Sequence, residues 1–492
     1  MNNKLEPDGL MSYHLVGIGG IGMSAIAQLL SAQGHTISGS DRNYDKKLFH
    51  CLFSALERQG IKLFVQDGSG VNGSTNYLVV SSAIEEDNPD IKKAREKNVP
   101  IIKRADLLAE IFNNLYGIAI GGTNGKTTVS GMVGWILDYA GLDPTILIGG
   151  YIKNYATDTI LGNTKVGKSA LMAIEADESD GTIVSYRPKV GVVTNISKDH
   201  KTLDELSQLF STFTKNTTET LVINADCPEL RNITTRSKNI ITYGSSPDAK
   251  MRIKDVVCHP LGSRFKINGT TFELNIQGLY NVSNAAAAIS VARSLGISDD
   301  KTSAALKSFK GIRRRMDLIG EVNGIKIIDD FAHNPVKIMA AIDAARLGAE
   351  RLIIVFQPHG YGPTNFMKEE LITAFKAKLF PSDVLFMPEI FYAGGTASKN
   401  ISSSDIINRL CQAGINAFYI PERNDIVDEI RKALNNAEFG VPCHVDMTWR
   451  SSESFRIPNS AVCIRSTTIL VMGARDDTLT AFCHDIVKRL KD

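Results

Sequence analysis

Two glycine-rich segments, each lying between a predicted strand and a predicted helix, constrain the fold of this chain more than any other feature. The first is a G-x-G-x-x-G pattern at Gly17, Gly19 and Gly22, between YHLV and IGMSAIAQLL. The second is GGTNGKTT at 121–128, which follows YGIAI and precedes a further helical pattern. A strand–loop–helix unit of this kind turns backbone N–H groups and a helix N-terminus toward an anion. The sequence therefore predicts two separate phosphate-binding α/β units.

Short apolar runs alternate with helical patterns along almost all of the 492 residues. Buried strands are predicted for seven runs: YLVVSSAI, YGIAIGG, KVGVVTNIS, KIIDDFAH, RLIIVFQPH, DVLFMPEIF and TILVMGA. Helices are predicted for KEELITAFKAKL and NDIVDEIRKAL, because their apolar residues recur at three- and four-residue spacing. This alternation is typical of an α/β fold in which helices cover both faces of parallel sheets.

The length predicts about three domains, at roughly 100–200 residues each. We expect an N-terminal Rossmann-like domain over 1–112, a central P-loop domain with a parallel sheet over 113–312, and a C-terminal Rossmann-like domain over 313–492. Residues 249–278 alternate in polarity and contain the turn sequence NGT. They predict a small antiparallel insert in the central domain.

Composition excludes several function classes. With 55 basic and 53 acidic residues the net charge is +2, so no global field attracts nucleic acid or an anionic membrane, and we expect neither as a partner. There is no signal-peptide pattern and no run of about 18 apolar residues. The seven scattered cysteines fit reduced thiols. We expect a cytoplasmic protein that is a monomer or a homodimer.

The first loop leaves its ligand open. Asp41 ends the next predicted strand, where an acid could bind a ribose hydroxyl. A pyrophosphate with a ribose is common to NAD and to a UDP-sugar, and a tight turn without a ligand fits the same glycines. The motif alone does not separate these three interpretations.

The second loop predicts ATP binding. Its glycines Gly122 and Gly125 let N–H groups face phosphates, Lys126 can reach the β- and γ-oxygens, and Thr127 can ligate Mg²⁺. The strict P-loop pattern is incomplete, because Ile120 stands where its first glycine would be. Even so, the groups that bind the phosphates are all present.

Acidic residues and a histidine follow two strands near the second loop. LMAIEADESDGT ends in carboxylates and VVTNISKDH ends in an acid and an imidazole. Because ligands bind at the carboxyl edge of parallel sheets, these groups are candidates for holding Mg²⁺. The side chains concerned are Glu175, Asp177, Glu178, Asp180, Asp199 and His200.

Together these segments resemble the Mur ligases, the ATP-dependent amide-forming enzymes of peptidoglycan synthesis, over about residues 13–480. The similar stretches are VGIGGIGMSAIA, GSD, VVSSAI, GGTNGKTT, EADESD, GLYNVSNAAAAI, GIRRRMDLIGE, IIDDFAHNP and FQPHGYGPT. The most similar branch contains the ligases that add L-alanine, or a recycled tripeptide, to UDP-N-acetylmuramate.

The resemblance implies a role for each matched residue. A UDP-N-acetylmuramate-type substrate would bind at Gly17, Gly19, Gly20, Gly22, Asp41, Ser82 and His359. ATP would bind at Gly122, Thr123, Asn124, Gly125, Lys126, Thr127, Thr128, Asn281, Asn284, Arg315 and Asp330. Mg²⁺ would be held by Thr127, Glu175 and His200, and the catalytic group would be Lys126, Glu175, His200, Arg314 and His333.

The implied reaction joins two phosphate-bearing molecules, which explains why the chain has two loops. The sugar carboxylate would attack the γ-phosphate of ATP, and the acyl phosphate would react with an amino acid or short peptide. Lys126, Mg²⁺ and an arginine would offset charge on the transferring phosphoryl group. The C-terminal domain would present the amine.

The chain departs from the family pattern at several positions. Asn124 and Tyr280 each stand in place of a histidine, Met316 in place of a phenylalanine, and Asn334 in place of a second histidine. In the FQPHGYGPT segment, Gly360 and Pro363 replace two arginines that the family associates with the carboxylate of the amino acid.

This loss predicts that free L-alanine is a poor substrate and that a larger amine or a short peptide serves better. Candidate replacement cations are Lys368, Lys399 and Arg475.

Other functions remain open at this point. The closest alternative is a muropeptide-recycling ligase, or a related ligase that uses an amine other than alanine. A nicotinamide-dependent oxidoreductase would explain the first loop and Asp41, but not the P-loop, EADESD or DDFAHNP. A P-loop ATPase that switches a protein partner would explain the second loop alone.

Overall fold

A computed structural model describes residues 9–157, 160–197, 201–231, 233–392, 399–435, 466–474, 476 and 478–491. The described chain is an α/β structure with three sheets. Its contacts divide it into two compact units, the first comprising 1–257, 264–275 and 280–312, and the second comprising 258–263, 276–279 and 313–492. Among the described residues, no helix is long and apolar enough to cross a lipid bilayer.

The first sheet is parallel and has the strand order β3-β2-β1-β4-β5. Its strands are β1 Ser12–Val16, β2 Thr36–Ser40, β3 Lys62–Phe64, β4 Tyr77–Val80 and β5 Ile101–Lys103. The helices are α1 Ile21–Ala32, α2 Arg42–Asp45, α3 His50–Arg58, α4 Pro89–Glu96 and α5 Arg104–Asn113. Strand β1 pairs with β2 on one side and with β4 on the other, so the strand order changes direction at β1. The loop after β1 therefore lies at a topological switch point, where α/β sheets bind ligands.

The second sheet has ten strands in the order β15-β14-β13-β12-β11-β10-β6-β9-β7-β8. The strands are β6 Tyr116–Gly121, β7 Thr145–Leu147, β8 Thr164–Lys165, β9 Leu171–Glu175, β10 Val190–Val193, β11 Thr220–Asn224, β12 Asn239–Gly244, β13 Met251–His259, β14 Gly262–Ile267 and β15 Thr270–Leu274. The helices are α6 Lys126–Tyr139, α7 Leu203–Asn216, α8 Leu279–Ser294 and α9 Asp299–Ser308. Strand β6 pairs in parallel with β9 and β10, so the P-loop emerges between the ends of these two strands.

The predicted insert forms three strands, β13 to β15, with two-residue connections that reverse the chain. These strands continue the central sheet, because β12 pairs in parallel with β13 through Tyr243–Met251 and Gly244–Arg252. The alternation of side chains indicated the strands but did not indicate where they join.

The third sheet has the order β16-β17-β21-β18-β19-β20. Its strands are β16 Asp317–Val322, β17 Ile325–Asp330, β18 Arg351–Gln357, β19 Val384–Met387, β20 Ala417–Tyr419 and β21 Thr467–Gly473. The helices are α10 Pro335–Arg346, α11 Tyr361–Phe366, α12 Lys368–Lys378, α13 Ser403–Gln412, α14 Ile426–Asn435 and α15 Leu479–Lys491. Strands β16 and β17 form an antiparallel pair, and the other pairs are parallel.

The predicted α/β class and all seven predicted strands are confirmed. The apolar runs were informative because parallel strands covered on both faces are buried throughout: Ile353, Ile354 and Val355 in β18 have no exposed surface. The domain boundaries at 112/113 and 312/313 stay predictions.

Candidate active site

The second glycine loop has a backbone that only glycine permits at two positions. Gly122 has φ of +128°, and a Cβ there would lie 2.0 Å from Thr194 Oγ1. Gly125 has φ of +89°, and a Cβ there would lie 2.5 Å from Asn284 Oδ1. Left-handed backbone and close neighbours exclude a side chain at both positions. Asn284, implied as an ATP-binding residue, is thus packed directly against the loop.

The end of β10 holds this loop in place. Thr194 Oγ1 donates to the carbonyl of Asn124 at 2.6 Å, and Asn195 Nδ2 donates to the same carbonyl at 2.9 Å. The backbone N–H of Thr123 donates to the carbonyl of Asn195 at 2.9 Å. Asn124 Nδ2 also donates to Ser197 Oγ at 3.1 Å. The residue that replaces the family histidine therefore fixes the loop to β10.

Lys126, the first residue of α6, lies among carboxylates. Its Nζ donates to the carbonyl of Gly122 and to Glu178 Oε2, both at 2.7 Å, and lies 3.7 Å from Asp177 Oδ1. Burial alone would lower the pKa of Lys126, but the charges of Glu178, Asp177 and Glu175 outweigh it and raise the pKa. Lys126 is therefore a fully charged cation held by anions.

The two carboxylates that face Lys126 differ in their acidity. Burial raises the pKa of Glu178, and the attraction of Lys126 only partly offsets this effect. Burial would also raise the pKa of Asp177, but Lys126, two hydrogen bonds from Ser179 and the charge of Arg104 together lower it. Asp177 is therefore the stronger acid of the two.

Two oxygen ligands suited to Mg²⁺ lie beside Lys126. Thr127 Oγ1 donates to Glu175 Oε1 at 3.1 Å, and the backbone N–H of Gly149 donates to Glu175 Oε2 at 2.8 Å. A hydroxyl next to a carboxylate is a donor set that magnesium prefers, so these residues fit the ion that the sequence implies. No group of three or more His, Cys, Asp or Glu side chains in the described ranges is arranged to hold a metal. His200, the third implied ligand, lies outside the described residues.

Asn281 and Asn284 both lie in the first turns of α8 and are buried, at 3% and 8% exposure. Asn284 Nδ2 donates to Asn281 Oδ1 at 3.0 Å. Since Asn284 packs against Gly125, the structure brings this pair to the P-loop, as the implied ATP site requires.

The first glycine loop is held by backbone and by Asp41. The N–H groups of Gly17 and Ile18 donate to the carbonyl of Ser40 at 2.8 and 3.0 Å. Asp41 Oδ2 accepts from the N–H of Gly19 at 2.9 Å, and Oδ1 accepts from the N–H of Asn43 at 2.8 Å. Burial raises the pKa of Asp41, and these two hydrogen bonds partly offset the rise. The acid expected near a ribose therefore also shapes the loop.

The turn after β4 closes the first loop from the other side. Ile84 Cδ1 would lie 3.2 Å from a Cβ at Gly17, so VVSSAI packs against the loop. Ser82, in the same turn, is exposed. Gly20 is the N-cap of α1, and no side chain caps this helix, so its first N–H groups receive no side-chain acceptor.

Sequence reasoning missed one residue at this loop. Arg104, the first residue of α5, lies beside Gly22: a Cβ at Gly22 would be 3.1 Å from Arg104 Nη1. Its nearest acid is Asp180, whose Oδ2 is 3.9 Å from Nη2. A single arginine at the start of a helix carries no sequence pattern, so only the fold reveals its position.

A buried amide network connects α1 to the central sheet within the first unit. Asn163 Nδ2 donates to the carbonyl of Ile21 and to Ser24 Oγ, both at 2.9 Å. Gln28 Nε2 donates to Asn163 Oδ1 at 3.0 Å. Asn163 and Ser24 have no exposed surface. The helix that follows the first loop is thus fixed to the domain that carries the second.

In the second unit, Arg314 and Arg315 both stack on Phe331. Their Cζ atoms lie 5.1 and 4.8 Å from the ring centre. Arg314 Nη2 donates to the carbonyl of Gly473 at 2.7 Å, and its Nε lies 3.4 Å from Asp329 Oδ2. These contacts hold Arg314 at the carboxyl ends of β17 and β21.

Asp330, at the end of β17, is buried and accepts two backbone hydrogen bonds. Met316 N donates to Oδ2 at 2.7 Å and Ala332 N donates to Oδ1 at 2.8 Å. Burial raises the pKa of Asp330, while Arg315 and the two hydrogen bonds oppose the rise. Met316, which replaces the family phenylalanine, therefore contributes its backbone to this arrangement.

His333 and His359 lie together at the same edge, with ring centres 5.5 Å apart. His333 Nδ1 lies 2.9 Å from the carbonyl of Phe331, so Nδ1 carries the proton and donates. Its Nε2 faces Lys337 Nζ at 3.4 Å. Burial, Lys337, His359 and Arg315 place the pKa of His333 well below 6.5. His333 is therefore a neutral imidazole with an unprotonated Nε2.

Asn334, which stands in place of the second family histidine, caps α10: its side chain accepts a hydrogen bond from the backbone N–H of Lys337.

The segment that lacks the two arginines begins α11. Gly360 has φ of +69°, and Pro363 packs within 3.3 Å of a Cβ built on it. Next to Gly360, Tyr361 lies 5.5 Å from Tyr392, and Lys399 Nζ lies 5.8 and 5.2 Å from the centres of these two rings. Lys399 is thus the candidate cation that the fold brings to this segment. Lys368 starts α12, and Arg475 lies outside the described residues.

Three models of one family match this chain: the Mur ligase family catalytic domain over 12–116, the Mur ligase middle domain over 120–292 and the Mur ligase glutamate ligase domain over 314–439. They cover most of the chain and include both glycine loops. The chain belongs to the Mur ligase family.

Relatives of this Mur ligase include two UDP-N-acetylmuramate–L-alanine ligases. The protein of Rhizobium etli is 37% identical over 428 residues, which are 83% of this chain and 88% of that protein. The protein of Agrobacterium fabrum is 35% identical over 456 residues, which are 88% of this chain and 94% of that protein.

Two solved structures share the fold. The UDP-N-acetylmuramate-alanine ligase of Thermotoga maritima has a TM-score of 0.75 at 23% identity, covering 98% of this chain and 99% of its own. The murein peptide ligase of Psychrobacter arcticus has a TM-score of 0.66, also at 23% identity, with the same coverage.

The residues implied by the family form three groups in this Mur ligase. The P-loop group contains 122–128, Glu175, Asn281 and Asn284. The first-loop group contains Gly17, Gly19, Gly20, Gly22 and Asp41, with Ser82 in the adjoining turn. The third group, in the second unit, contains Arg314, Arg315, Asp330, His333 and His359. Their assigned roles stay predictions.

Proposed function

We propose that this Mur ligase joins an amino acid or short peptide to the carboxylate of UDP-N-acetylmuramate, forming ADP and phosphate. The observation that carries the proposal is the pair of glycine loops in one compact unit, in which Asn163 ties the helix after the first loop to the edge of the central sheet. One enzyme that binds two phosphate-bearing substrates needs two such loops, whereas an oxidoreductase needs only the first.

In the proposed first step, a carboxylate oxygen of the sugar nucleotide attacks the γ-phosphorus of ATP. The bond to the β–γ bridging oxygen breaks, and ADP leaves with the electron pair. ATP phosphates replace Glu178 at the ammonium of Lys126, which offsets charge on the transferring group. Thr127 and Glu175, with His200, would hold Mg²⁺, which supplies further charge neutralisation when bound.

In the second step, the nitrogen of the amine attacks the acyl carbon, and phosphate leaves with the electron pair of the C–O bond. The attacking nitrogen must lose a proton. Solvent takes this proton, because burial and nearby cations hold the pKa of His333 well below 6.5 and make its Nε2 a weak base.

The names of the relatives point to L-alanine as the amine, whereas the loss of two arginines at Gly360 and Pro363 points to a larger acceptor. The position of Lys399 supports an incoming amine that carries a carboxylate, because the lysine can pair with that group. Its ammonium lies over Tyr361 and Tyr392, and no carboxylate of the described chain pairs with it. We propose that one lysine replaces the arginine pair and that the space at Gly360 admits a larger side chain or a short peptide.

The test is release of inorganic phosphate from ATP with UDP-N-acetylmuramate and a panel of amines. The proposal expects release only when carboxylate and amine are both present, and product that contains an amide bond. Release that ignores every carboxylate and amine would instead support a partner-binding ATPase. Tight binding of NADH without binding of UDP-N-acetylmuramate would support an oxidoreductase.

The amine is decided in the same assay by comparing L-alanine with larger amino acids and with a tripeptide. If L-alanine alone saturates the enzyme at submillimolar concentration, the prediction of a larger amine is wrong. The Lys399→Ala variant should raise KM for the amine on the order of tenfold and leave KM for ATP unchanged, because a charged hydrogen bond contributes about 1.5–3 kcal/mol. The Lys376→Ala variant, which removes an exposed lysine of α12, is the matched control. An unchanged KM for Lys399→Ala would remove this residue from the site.

A further inference from the structure

The first glycine loop contains no cation of its own, yet its proposed ligand carries a pyrophosphate. GIGGIG has no basic residue, and the first turn of α1 has none either. With a net charge of +2, the protein has no general field that would compensate. The negative charge of the pyrophosphate must therefore be neutralised by a cationic side chain from elsewhere in the fold, or be stabilised by backbone N–H groups alone.

Arg104 is the cation that the fold delivers to this loop. Its guanidinium lies over Gly22 in the first turn of α1, with Nη1 3.1 Å and Cζ 3.3 Å from the position of a Cβ. Glycine at this position leaves the space that the guanidinium fills. Sequence separates the two residues widely, but α1 and α5 lie against each other in the first domain.

The donors of Arg104 are not used within the described chain. The side chain is 24% exposed, its nearest acid is Asp180 at 3.9 Å, its charge also acts on Asp177, and its guanidinium forms no hydrogen bond to an acceptor in the described ranges. A guanidinium that is three-quarters buried loses much of its hydration, so it needs acceptors from elsewhere. The uncapped N–H groups of α1 lie beside it. The guanidinium of Arg104 and the backbone N–H groups of α1 are therefore two independent sets of hydrogen-bond donors at the start of α1.

We propose that Arg104 binds the pyrophosphate of the uridine nucleotide at the first loop. The planar guanidinium can give two parallel hydrogen bonds to phosphate oxygens while the N-terminus of α1 gives backbone N–H groups. Asp180 follows the carboxylates that hold Lys126, so the charge of Arg104 also acts near the ATP loop. The inference rests on the proposed function only in taking the first loop as a uridine nucleotide site.

Calorimetric titration with UDP and with uridine tests this role, because the two ligands differ only in the phosphates. Arg104→Ala should weaken UDP binding on the order of 10- to 100-fold and leave uridine binding unchanged. Arg104→Lys should recover part of the lost affinity, since it keeps the charge without the planar fork. The control is Arg95→Ala: Arg95 is an exposed arginine of the same domain that pairs with Glu86, and its loss should change neither affinity.

Each outcome separates this inference from the proposed function. If the wild-type enzyme binds no UDP, the assignment of the first loop to a uridine nucleotide fails. If the wild-type enzyme binds UDP and Arg104→Ala binds it equally well, Arg104 is not a phosphate ligand. If Arg104→Ala weakens UDP and uridine equally while ATP binding persists, the residue supports the local fold instead. Should Arg104→Ala not fold, Arg104→Gln, which keeps the shape without the charge, gives the same comparison.

Discussion

Both glycine loops connect a strand to a helix, but the charged side chains around them are arranged differently. At the second loop, Lys126 is part of the loop–helix junction and is held by Glu178 at 2.7 Å and Asp177 at 3.7 Å. At the first loop, the cation is Arg104 from another helix, and its nearest acid is 3.9 Å away. A glycine turn before a helix thus defines where phosphate can bind. The side chains around the turn determine how strongly phosphate binds and whether it must displace a carboxylate.

The difference has a functional meaning in a ligase. In the proposed reaction ATP binds, transfers its γ-phosphoryl group and leaves as ADP. Lys126 would exchange its carboxylate partners for phosphate when ATP binds and would pair with them again when ADP leaves. In the proposed reaction the sugar nucleotide keeps its pyrophosphate, so the first loop, as its proposed site, would need affinity and no change of charge.

The largest effect is expected for Lys126→Ala. Removing the main protein charge on the transferring phosphoryl group should lower ADP formation on the order of 10³-fold, about 4 kcal/mol, while UDP binding persists. Steady-state kinetics and UDP titration measure both quantities. Lys189→Ala, which removes a partly exposed lysine of the same unit that pairs with Glu219, is the control. A Lys126→Ala enzyme within tenfold of the wild type would refute the assignment.

A pair of glycine substitutions should separate the loops. Gly17→Ala and Gly125→Ala each place a Cβ on a backbone with positive φ, at +74° and +89°, which costs about 1–2 kcal/mol. Gly17→Ala should weaken UDP binding about tenfold without affecting ATP binding. Gly125→Ala should weaken ATP binding by a similar factor without affecting UDP binding. Gly141→Ala has φ of +83° with open space around it, so it measures the backbone cost alone. Equal losses for both ligands in either variant would contradict the separation.

Glu178→Gln tests the exchange of anions at Lys126. The amide keeps the shape but no longer competes as an anion, so KM for ATP should fall a few-fold, corresponding to roughly 1 kcal/mol. Asp177→Asn should have a smaller effect, because Asp177 is farther from Lys126 and half exposed. A higher KM for ATP in Glu178→Gln would show that this carboxylate assists ATP binding rather than opposing it.

A smaller effect concerns pH and belongs to the second unit. Burial and nearby cations depress the pKa of His333 far below 6.5 in the folded protein. As pH falls through about 6.5, the unfolded state binds this proton and the folded state does not, so the unfolding free energy decreases. His333→Gln should remove up to about 1 kcal/mol of the loss between pH 7.5 and 6. Denaturation at both pH values measures it, with the exposed His484→Gln as control. An unchanged pH dependence in His333→Gln would contradict the buried, neutral state.

Much of this contrast was accessible from the sequence, because it depends on local patterns. Glycines at Gly122 and Gly125, the lysine after them and the apolar strands all follow from short-range geometry. The pairing of Lys126 with Glu178 depends on the parallel register of β6 and β9, which places Ile120 opposite Glu175. No sequence pattern encodes that register.

The parts that sequence reasoning missed arise from contacts between elements that lie far apart in the chain. Arg104 reaches Gly22 because α5 packs on α1, and Asn163 reaches Ile21 because β8 lies at the edge of the central sheet next to α1. Single arginines and asparagines occur throughout the chain, so residue type alone could not select these two. His200 stays a prediction from its place after a strand.

The central claim is that one polypeptide holds a uridine nucleotide and ATP at the same time, at different loops. Calorimetry with UDP-N-acetylmuramate and a non-hydrolysable ATP analogue tests it most directly. We expect one equivalent of each ligand to bind, with full binding of the second ligand to protein already saturated with the first. Displacement of one ligand by the other, or displacement of UDP-N-acetylmuramate by NADH with no ATP-analogue binding, would contradict it.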